Sequence, residues 1–289
     1  MEPILDPIKP INGMLKFFLL CGLWPTESRY RWIYGIYATT FHFVFTIAYI
    51  YFKLVNLFIE TDLRLLTVGF FIFVAEISLV VRIVNLIANF NDISKCLNMI
   101  KEIKIFDGNE FQIMNDNFTF FSKVMTLYIG CGTSACLCSW GAALFSSEPM
   151  LPYPAWYPID WKMNNQSYWF AFSYQVIGVT FQAYCIILLQ LFSIYLMSVV
   201  GAQFDVLKYR LENLGRCVAI EHPNHQATEN QFIQCVQLHQ NVISFVKSVE
   251  KIFQAPFFVQ FVTSSILFCF TAFKIAIVTL FELIVSERW

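Results

Sequence analysis

The chain has 289 residues, of which 57% are apolar, 18% are aromatic and only 13% are charged, and its formal net charge is −1. A typical soluble domain is nearer half apolar and a quarter charged, so this composition excludes an ordinary soluble domain. The near-zero net charge gives no indication of a nucleic-acid partner.

Long uncharged stretches predict the membrane spans. Asp, Glu, Lys and Arg are absent from residues 32–52, 124–147, 163–204 and 252–273. A helix of about 20 apolar residues crosses the hydrocarbon core of a bilayer. A fifth stretch, 65–87, is apolar apart from Glu76 and Arg82. We therefore predict an all-α integral membrane protein in which an N-terminal segment, 1–31, precedes spans at about 32–52, 65–87, 124–147, 168–198 and 256–282.

The basic residues predict the orientation of these spans. Of the 19 Lys and Arg residues, 13 fall before the first span, between the second and third, or between the fourth and fifth. Basic loops stay in the cytoplasm, so the N-terminus is predicted to be cytoplasmic. The opposite side has Lys53, Arg64, Lys162 and Arg288. It also has Asn165, the first residue of an N-x-S sequence and a candidate glycosylation site.

The fourth uncharged stretch, 163–204, is longer than a bilayer requires. As a helix it would extend roughly 60 Å. We expect this helix to begin near Tyr168 and to continue into the cytoplasm beyond Ser198. Residues 228–254 have apolar side chains near helical spacing and lead through Pro256 into the fifth span. The two helices predict a cytoplasmic stalk, and an interfacial helix on the inner leaflet is the alternative for the second.

Charged side chains inside a span are functional candidates, because charge is expensive to place in hydrocarbon. Glu76 lies near the middle of the second span and requires a partner or a water-filled cavity. Packing and a ligand or gating role are both open for it. Arg82 is too far along the helix to pair with Glu76, and we expect it to reach the inner interface.

A pocket for an apolar ligand needs aromatic walls and a few polar groups. The outer halves of the second, third and fourth spans contain aromatic and polar side chains of this kind. Trp140 and Tyr174 are the strongest candidates, because each joins a hydrogen-bonding group to an apolar body. Simple packing is the alternative for every one of them. The predicted ligand-binding residues are Phe73, Glu76, Trp140, Leu144, Phe172 and Tyr174.

No sequence motif indicates catalysis or a cofactor. Cys217, His222 and His225 are spaced too loosely for a zinc site, which favours a solvated loop. The chain has no glycine-rich phosphate loop and no G-x-S-x-G nucleophile motif. We predict no enzyme activity, no catalytic residue, no metal and no cofactor.

Four stretches resemble the insect odorant receptor family. Residues 22–25 (GLWP) resemble its N-terminal L-G-L-W-P signature, and residues 168–170 (YWF) open the fourth span as in that family. Residues 235–253 (CVQLHQNVISFVKSVEKIF) resemble the helix that precedes its fifth span. The most specific match is the outer loop 151–160 (LPYPAWYPID), which is similar to the pattern L-P-[FY]-x-A-W-Y-P-[FI]-D. The resemblance extends from residue 19 to about 273.

The resemblance implies a subunit of a seven-helix, odorant-gated, non-selective cation channel with a cytoplasmic N-terminus. Such a subunit detects small volatile apolar molecules in the plasma membrane of olfactory sensory neurons. It assembles with a co-receptor into a hetero-tetramer through a cytoplasmic anchor of extended helices. Its pocket is expected in the outer half, among helices two, three, four and six.

The chain ends after the fifth predicted span, so the resemblance makes 32–285 a transmembrane domain expected to lack the sixth and seventh helices. Two alternatives follow. One is a shortened, non-conducting subunit that modulates full-length receptors. The other is an insect gustatory receptor, although the loop 151–160 favours an odorant receptor. A G-protein-coupled receptor is disfavoured, because it would place the 13 basic residues outside the cell.

Overall fold

The computed structural model describes residues 6–25, 30–146, 149–214 and 225–286, and within these the chain forms helices and no strand. A short 3-10 turn, Lys9–Ile11, leads into the first α-helix. The helices, in chain order, are α1 (Asn12–Leu20), α2 (Arg31–His42), α3 (Ala48–Ile59), α4 (Leu63–Ala88), α5 (Phe90–Lys101), α6 (Gly108–Leu144), α7 (Asn165–Glu212) and α8 (His225–Ser286). A π-helical turn, Phe43–Ile47, joins α2 to α3, so that the two form one continuous helical segment.

Five helical segments are long and apolar enough to cross a membrane. They are Arg31–Ile59, Leu65–Ala88, Gly108–Leu144, Asn165–Glu212 and Thr228–Ala276. The prediction of an all-α protein with five spans is therefore confirmed. Each helix except the second extends well past its predicted span, and the positions of the membrane boundaries within the helices stay predictions. Ser147, the predicted end of the third span, and Cys217 and His222 lie outside the described residues.

The long helices follow the sequence pattern that predicted them. α7 continues past Ser198 to Glu212, as the uncharged stretch indicated. It is also the span with the largest share of buried side chains. α8 continues through Pro256, which lacks the N–H that would bond to the carbonyl four residues earlier. In α8, large apolar side chains are exposed on much of the surface, among them Phe258, Phe261 and Phe268.

The contacts divide the chain into two units. Unit 1 comprises Met1–Phe41, Leu86–Cys138 and Ala183–Phe253. Unit 2 comprises His42–Asn85, Ser139–Gln182 and Gln254–Trp289. The long helices α4, α6, α7 and α8 contribute residues to both. The outer loop 151–160 belongs to unit 2, as do all six residues predicted to bind a ligand.

In unit 1 the stretch 22–25 forms a tight turn that includes the half-buried indole of Trp24. Gly22 has φ +75°, and a Cβ there would lie 2.6 Å from the Cβ of Ala38, so a larger residue would clash as well as strain the backbone. Trp24 packs edge-on against Phe90, with ring centroids 5.0 Å apart, and against Phe192 at 6.4 Å. The turn and the indole together explain the residue types of this motif.

A buried ion pair joins the start of α6 to the end of α7 in unit 1. Arg210 donates from Nε to Oε1 of Glu110 at 2.7 Å and from Nη2 to Oε2 at 2.8 Å. Nη2 also donates to the carbonyl of Lys104 at 3.1 Å, and the guanidinium lies 4.5 Å from the ring centroid of Phe106. The Glu110 carboxylate accepts a further bond from the Phe106 N–H at 2.9 Å. We call this group the Arg210–Glu110 clamp.

Candidate ligand-binding site

The outer loop 151–160 is fixed to α7 by one amide side chain. Gln175 is fully buried, accepts a hydrogen bond from the Tyr153 N–H at 2.9 Å and donates to the Tyr153 carbonyl at 2.9 Å. The same amide nitrogen lies 3.3 Å from the Tyr157 hydroxyl. A buried amide is stable only when its donors and acceptor are paired, so Gln175 holds the loop at this register.

Behind the loop the side chains form an apolar cluster. Leu151, Ala155 and Tyr157 of the loop are buried against Ala171 and Phe172 of α7. Alanine at two of these positions lets the loop lie close to the helix, and the aromatic rings fill the remaining volume. The motif residues of the loop are therefore explained by packing as well as by hydrogen bonding.

Tyr174 lies at the centre of an aromatic cluster. Its ring centroid is 5.8 Å from that of Phe45, 6.3 Å from Tyr49, 6.2 Å from Phe52 and 5.9 Å from Tyr157. Three of the four ring pairs are edge-to-face, a favourable geometry for aromatic quadrupoles. These five rings form the Tyr174 cluster, which is the kind of aromatic wall that an apolar ligand requires.

The π-helical turn Phe43–Ile47 supplies acceptors to α7. The Tyr174 hydroxyl donates to the Val44 carbonyl at 2.6 Å, and the Gln182 amide donates to the Phe45 carbonyl at 2.8 Å. Gly178, one turn from both, leaves only 3.5 Å between a virtual Cβ and the Phe45 ring. π-Helical turns occur frequently at functional sites, and this one orients Tyr174.

The structure brings some of the predicted ligand residues together. Phe172 is buried in the apolar cluster and Tyr174 packs beside it. Trp140 is half-buried, and its indole Nε1 is buried without a hydrogen-bond partner among the described residues. Phe73 is half-buried on α4. Their role in binding stays a prediction.

Leu144 lies on the last turn of α6. It is half exposed and lines a cleft of about 420 Å³ together with Trp161, Trp169 and Asn165. Asn165 is the first residue of α7 and is exposed, and its glycosylation stays a prediction. The cleft lies at the end of α6, where an apolar side chain can contact either lipid or a ligand.

Two buried charges form the most unusual feature of unit 2. The prediction assigned Lys53 to the outer side beyond the first span, but α3 continues to Ile59 and Lys53 is only 1% exposed. Its Nζ lies 5.1 Å from the ring centroid of Tyr49 and 5.4 Å from that of Tyr153. Glu76 is 2% exposed. Neither Nζ nor either carboxylate oxygen has a hydrogen-bond partner among the residues that the structure describes.

The prediction missed Lys53 because a lone lysine at the end of an apolar stretch is usually the end of the span. The spacing held a signal, since Tyr49, Lys53 and Asn56 recur at i, i+4 and i+7 and so share one helix face. Arg82, which is expected to reach the inner interface, is also buried, and its position relative to the membrane stays a prediction. It is 8% exposed and donates to the side-chain carbonyl of Gln260 on α8.

Comparisons with known proteins agree with this architecture. The family model described as 7tm Odorant receptor matches residues 62–285. Odorant receptor 94a of Drosophila melanogaster is 21% identical over 285 residues, which cover 95% of this chain and 72% of that protein. Odorant receptor Or1 of Anopheles gambiae is 25% identical over 88% of this chain and 68% of its own length.

A solved structure shares the fold. The insect olfactory receptor OR5 from Machilis hrabei superposes with a TM-score of 0.64 at 12% sequence identity. The superposition covers 92% of this chain and 70% of that one.

Proposed function

The chain belongs to the insect odorant receptor family, and from this premise we propose that it is a receptor subunit that detects small volatile apolar molecules. The family match over residues 62–285 carries the proposal. The family is a class of receptors rather than enzymes, and the helices are those of a membrane protein.

The Tyr174 cluster supports an odorant as the ligand. Its aromatic walls offer dispersion and apolar area, which are the main sources of affinity for a molecule with few polar atoms. Elsewhere in unit 2, Trp140 of α6 has an indole N–H that is buried and has no partner among the described residues. A ligand with one acceptor atom would satisfy that donor.

We infer in addition that the chain acts with a co-receptor, as part of a hetero-tetrameric, odorant-gated, non-selective cation channel in the plasma membrane of olfactory neurons. The length of α7 and α8 supports this, because helices that outrun a bilayer offer surface for assembly outside it. The exposed apolar side chains of α8, such as Phe261 and Phe268, fit a span that contacts lipid or further helices.

The test is co-expression of the chain with an olfactory co-receptor in cells that lack both, with whole-cell currents recorded during exposure to an odorant panel. We expect at least one odorant to evoke a current that the co-receptor alone does not give. Currents identical to those of the co-receptor alone, with the chain at the surface, would contradict the proposal.

The variant Trp140→Ala tests the site. With the best odorant we expect the half-maximal concentration to rise by about tenfold, since buried aromatic anchors contribute on the order of 1–2 kcal/mol or more to binding. Surface expression should stay unchanged. Trp32→Ala is the matched control, because Trp32 is 68% exposed on α2. An unchanged dose–response curve for Trp140→Ala would remove this residue from the site.

A further inference from the structure

Polar side chains line one face of α3 in unit 2. Tyr49, Lys53 and Asn56 occupy the positions i, i+4 and i+7. Tyr49 is 0% exposed and Lys53 is 1% exposed. The Tyr49 hydroxyl, the Lys53 ammonium and the Asn56 amide nitrogen are each buried without a hydrogen-bond partner among the described residues.

This face of α3 lies against α4. A Cβ placed on Gly69 would be 4.0 Å from Nδ2 of Asn56 and 3.5 Å from Leu57, so the two helices approach closely there. Glu76 is seven residues, or two turns, further along α4 on the same face as Gly69. Because α3 and α4 follow one another through a short connection and run in opposite directions, Glu76 is opposite the Tyr49 end of the α3 face.

The two charged groups are buried without hydrogen bonds. Within the described part of the chain the Glu76 carboxylate accepts none and the Lys53 ammonium donates none. A buried ion that lacks hydrogen bonds carries a penalty of several kcal/mol. The arrangement is therefore incomplete, and it needs a third group that accepts from Lys53 and donates to Glu76.

Few small groups can do both. A carbonyl or ether oxygen only accepts, an ammonium only donates, and a carboxylate would face the Glu76 charge. An alcohol hydroxyl accepts from Lys53 and donates to Glu76, and its second lone pair can accept from Tyr49 or Asn56. Because the Lys53–Glu76 pair has no net charge, a neutral ligand fits best.

We propose that Lys53, Glu76, Tyr49 and Asn56 form a polar subsite that binds the hydroxyl group of a small alcohol odorant. The inference rests on the proposed function and names the ligand class of that receptor. The Tyr174 cluster adjoins this subsite, because the Tyr49 ring belongs to both and lies 6.3 Å from Tyr174. The apolar remainder of the ligand would contact these rings. The ligand is an alcohol whose chain contacts the rings and whose hydroxyl bridges the two charges.

The experiment compares three probes of equal carbon number: 1-hexanol, hexanal and hexane. The purified chain is reconstituted in nanodiscs and titrated with each probe, with binding followed by tryptophan fluorescence and with partition into lipid subtracted by empty nanodiscs. The wild-type chain should bind 1-hexanol about tenfold or more tightly than hexane, with hexanal between them, because hydrogen bonds to charged groups are among the stronger ones.

The variant carries Lys53→Met with Glu76→Leu, so that no buried charge is left behind. It should bind hexane as the wild type does and should lose the preference for 1-hexanol. Lys162→Met is the matched control, because Lys162 is an exposed lysine of the same unit, with its Nζ 5.5 Å from the Trp161 ring centroid. That variant should keep the full preference.

Three outcomes would overturn the subsite. A double variant that retains the preference places the hydroxyl elsewhere. A wild-type chain that binds all three probes equally leaves the charges bridged by water only. Binding of no probe by the wild type would overturn the odorant-binding function together with the subsite, and this separates the two failures.

Discussion

Each unit of the molecule buries a basic and an acidic side chain, and the two pairs differ in their hydrogen bonding. In unit 1 the Arg210–Glu110 clamp has two direct bonds of 2.7 and 2.8 Å, and each partner makes a further bond to the backbone. In unit 2 Lys53 and Glu76 are buried more deeply and have no hydrogen bond among the described residues. A complete network rigidifies a fold, whereas an incomplete one retains capacity for another molecule. The difference separates a structural pair from a candidate binding pair.

The largest effect should come from breaking the clamp. Arg210→Ala would leave the Glu110 carboxylate without its ion-pair partner, although the Glu110 side chain is only 4% exposed. We expect a loss of about 3–5 kcal/mol in the free energy of unfolding, because a buried charge then lacks its partner. Thermal unfolding of the chain in nanodiscs measures it.

Lys208→Ala is the control for that experiment. Lys208 lies 3.9 Å from Glu212 with 73% of its side chain exposed, and exposed pairs contribute about 0–1 kcal/mol. If Arg210→Ala unfolds at the same temperature as Lys208→Ala, the clamp does not stabilise unit 1.

A smaller effect of opposite sign should follow from removal of the pair in unit 2. Lys53→Met with Glu76→Leu should raise the free energy of unfolding by about 1–2 kcal/mol in the absence of ligand, since apolar side chains of similar volume avoid the cost of burying charge. Removal of both clamp residues by Arg210→Met with Glu110→Leu should instead lower the free energy of unfolding, because the hydrogen bonds of the clamp are lost. If the double variant of Lys53 and Glu76 lowers the free energy of unfolding as much as the double variant of the clamp, then Lys53 and Glu76 form a stabilising pair like the clamp.

The smallest effect should appear at an exposed pair of unit 1. Hydrogen bonds from Lys251 and Lys95 lower the pKa of Asp92 below its ordinary value. A lowered folded-state pKa adds stability that is present above the unfolded pKa of about 3.9 and is lost as the pH falls through the folded pKa. The difference in unfolding temperature between wild type and Asp92→Asn should thus be small at pH 7 and vanish in acid. In a chain that also carries Lys251→Met, the Asp92→Asn substitution should change the unfolding temperature less. An effect of Asp92→Asn that grows in acid would contradict a lowered pKa for Asp92.

Much of the architecture could be predicted, because span length and helix periodicity depend on the local sequence. The uncharged stretch 163–204 predicts a helix that outruns the bilayer, and α7 does so. For Glu76 the sequence predicts a partner or a water-filled cavity. The structure buries its carboxylate without a hydrogen bond among the described residues, so both possibilities stay predictions. Phe172 and Tyr174 were selected for their chemistry, and the structure packs both beside the outer loop.

Other features depend on contacts between distant residues, so the local sequence gives no signal for them or only a weak one. The π-helical turn Phe43–Ile47 has ordinary apolar residues, and its carbonyls are held by Tyr174 and Gln182, well over a hundred positions away. Lys53 resembles the end of a span until its helix is seen to continue. Leu144 has the same apolar character as Phe172, yet it is 50% exposed because it lies on the last turn of α6.

The attachment of the outer loop by Gln175 has a consequence for the conditions under which the loop keeps its position. The amide exchanges two hydrogen bonds with the backbone of Tyr153, as a neighbouring β-strand would. An amide has no proton to gain or lose between pH 4 and 9 and no charge for counterions to screen. The two hydrogen bonds between Gln175 and Tyr153 are therefore insensitive to the acidity and salinity of the surrounding fluid, while ion pairs at the exposed surface respond to both.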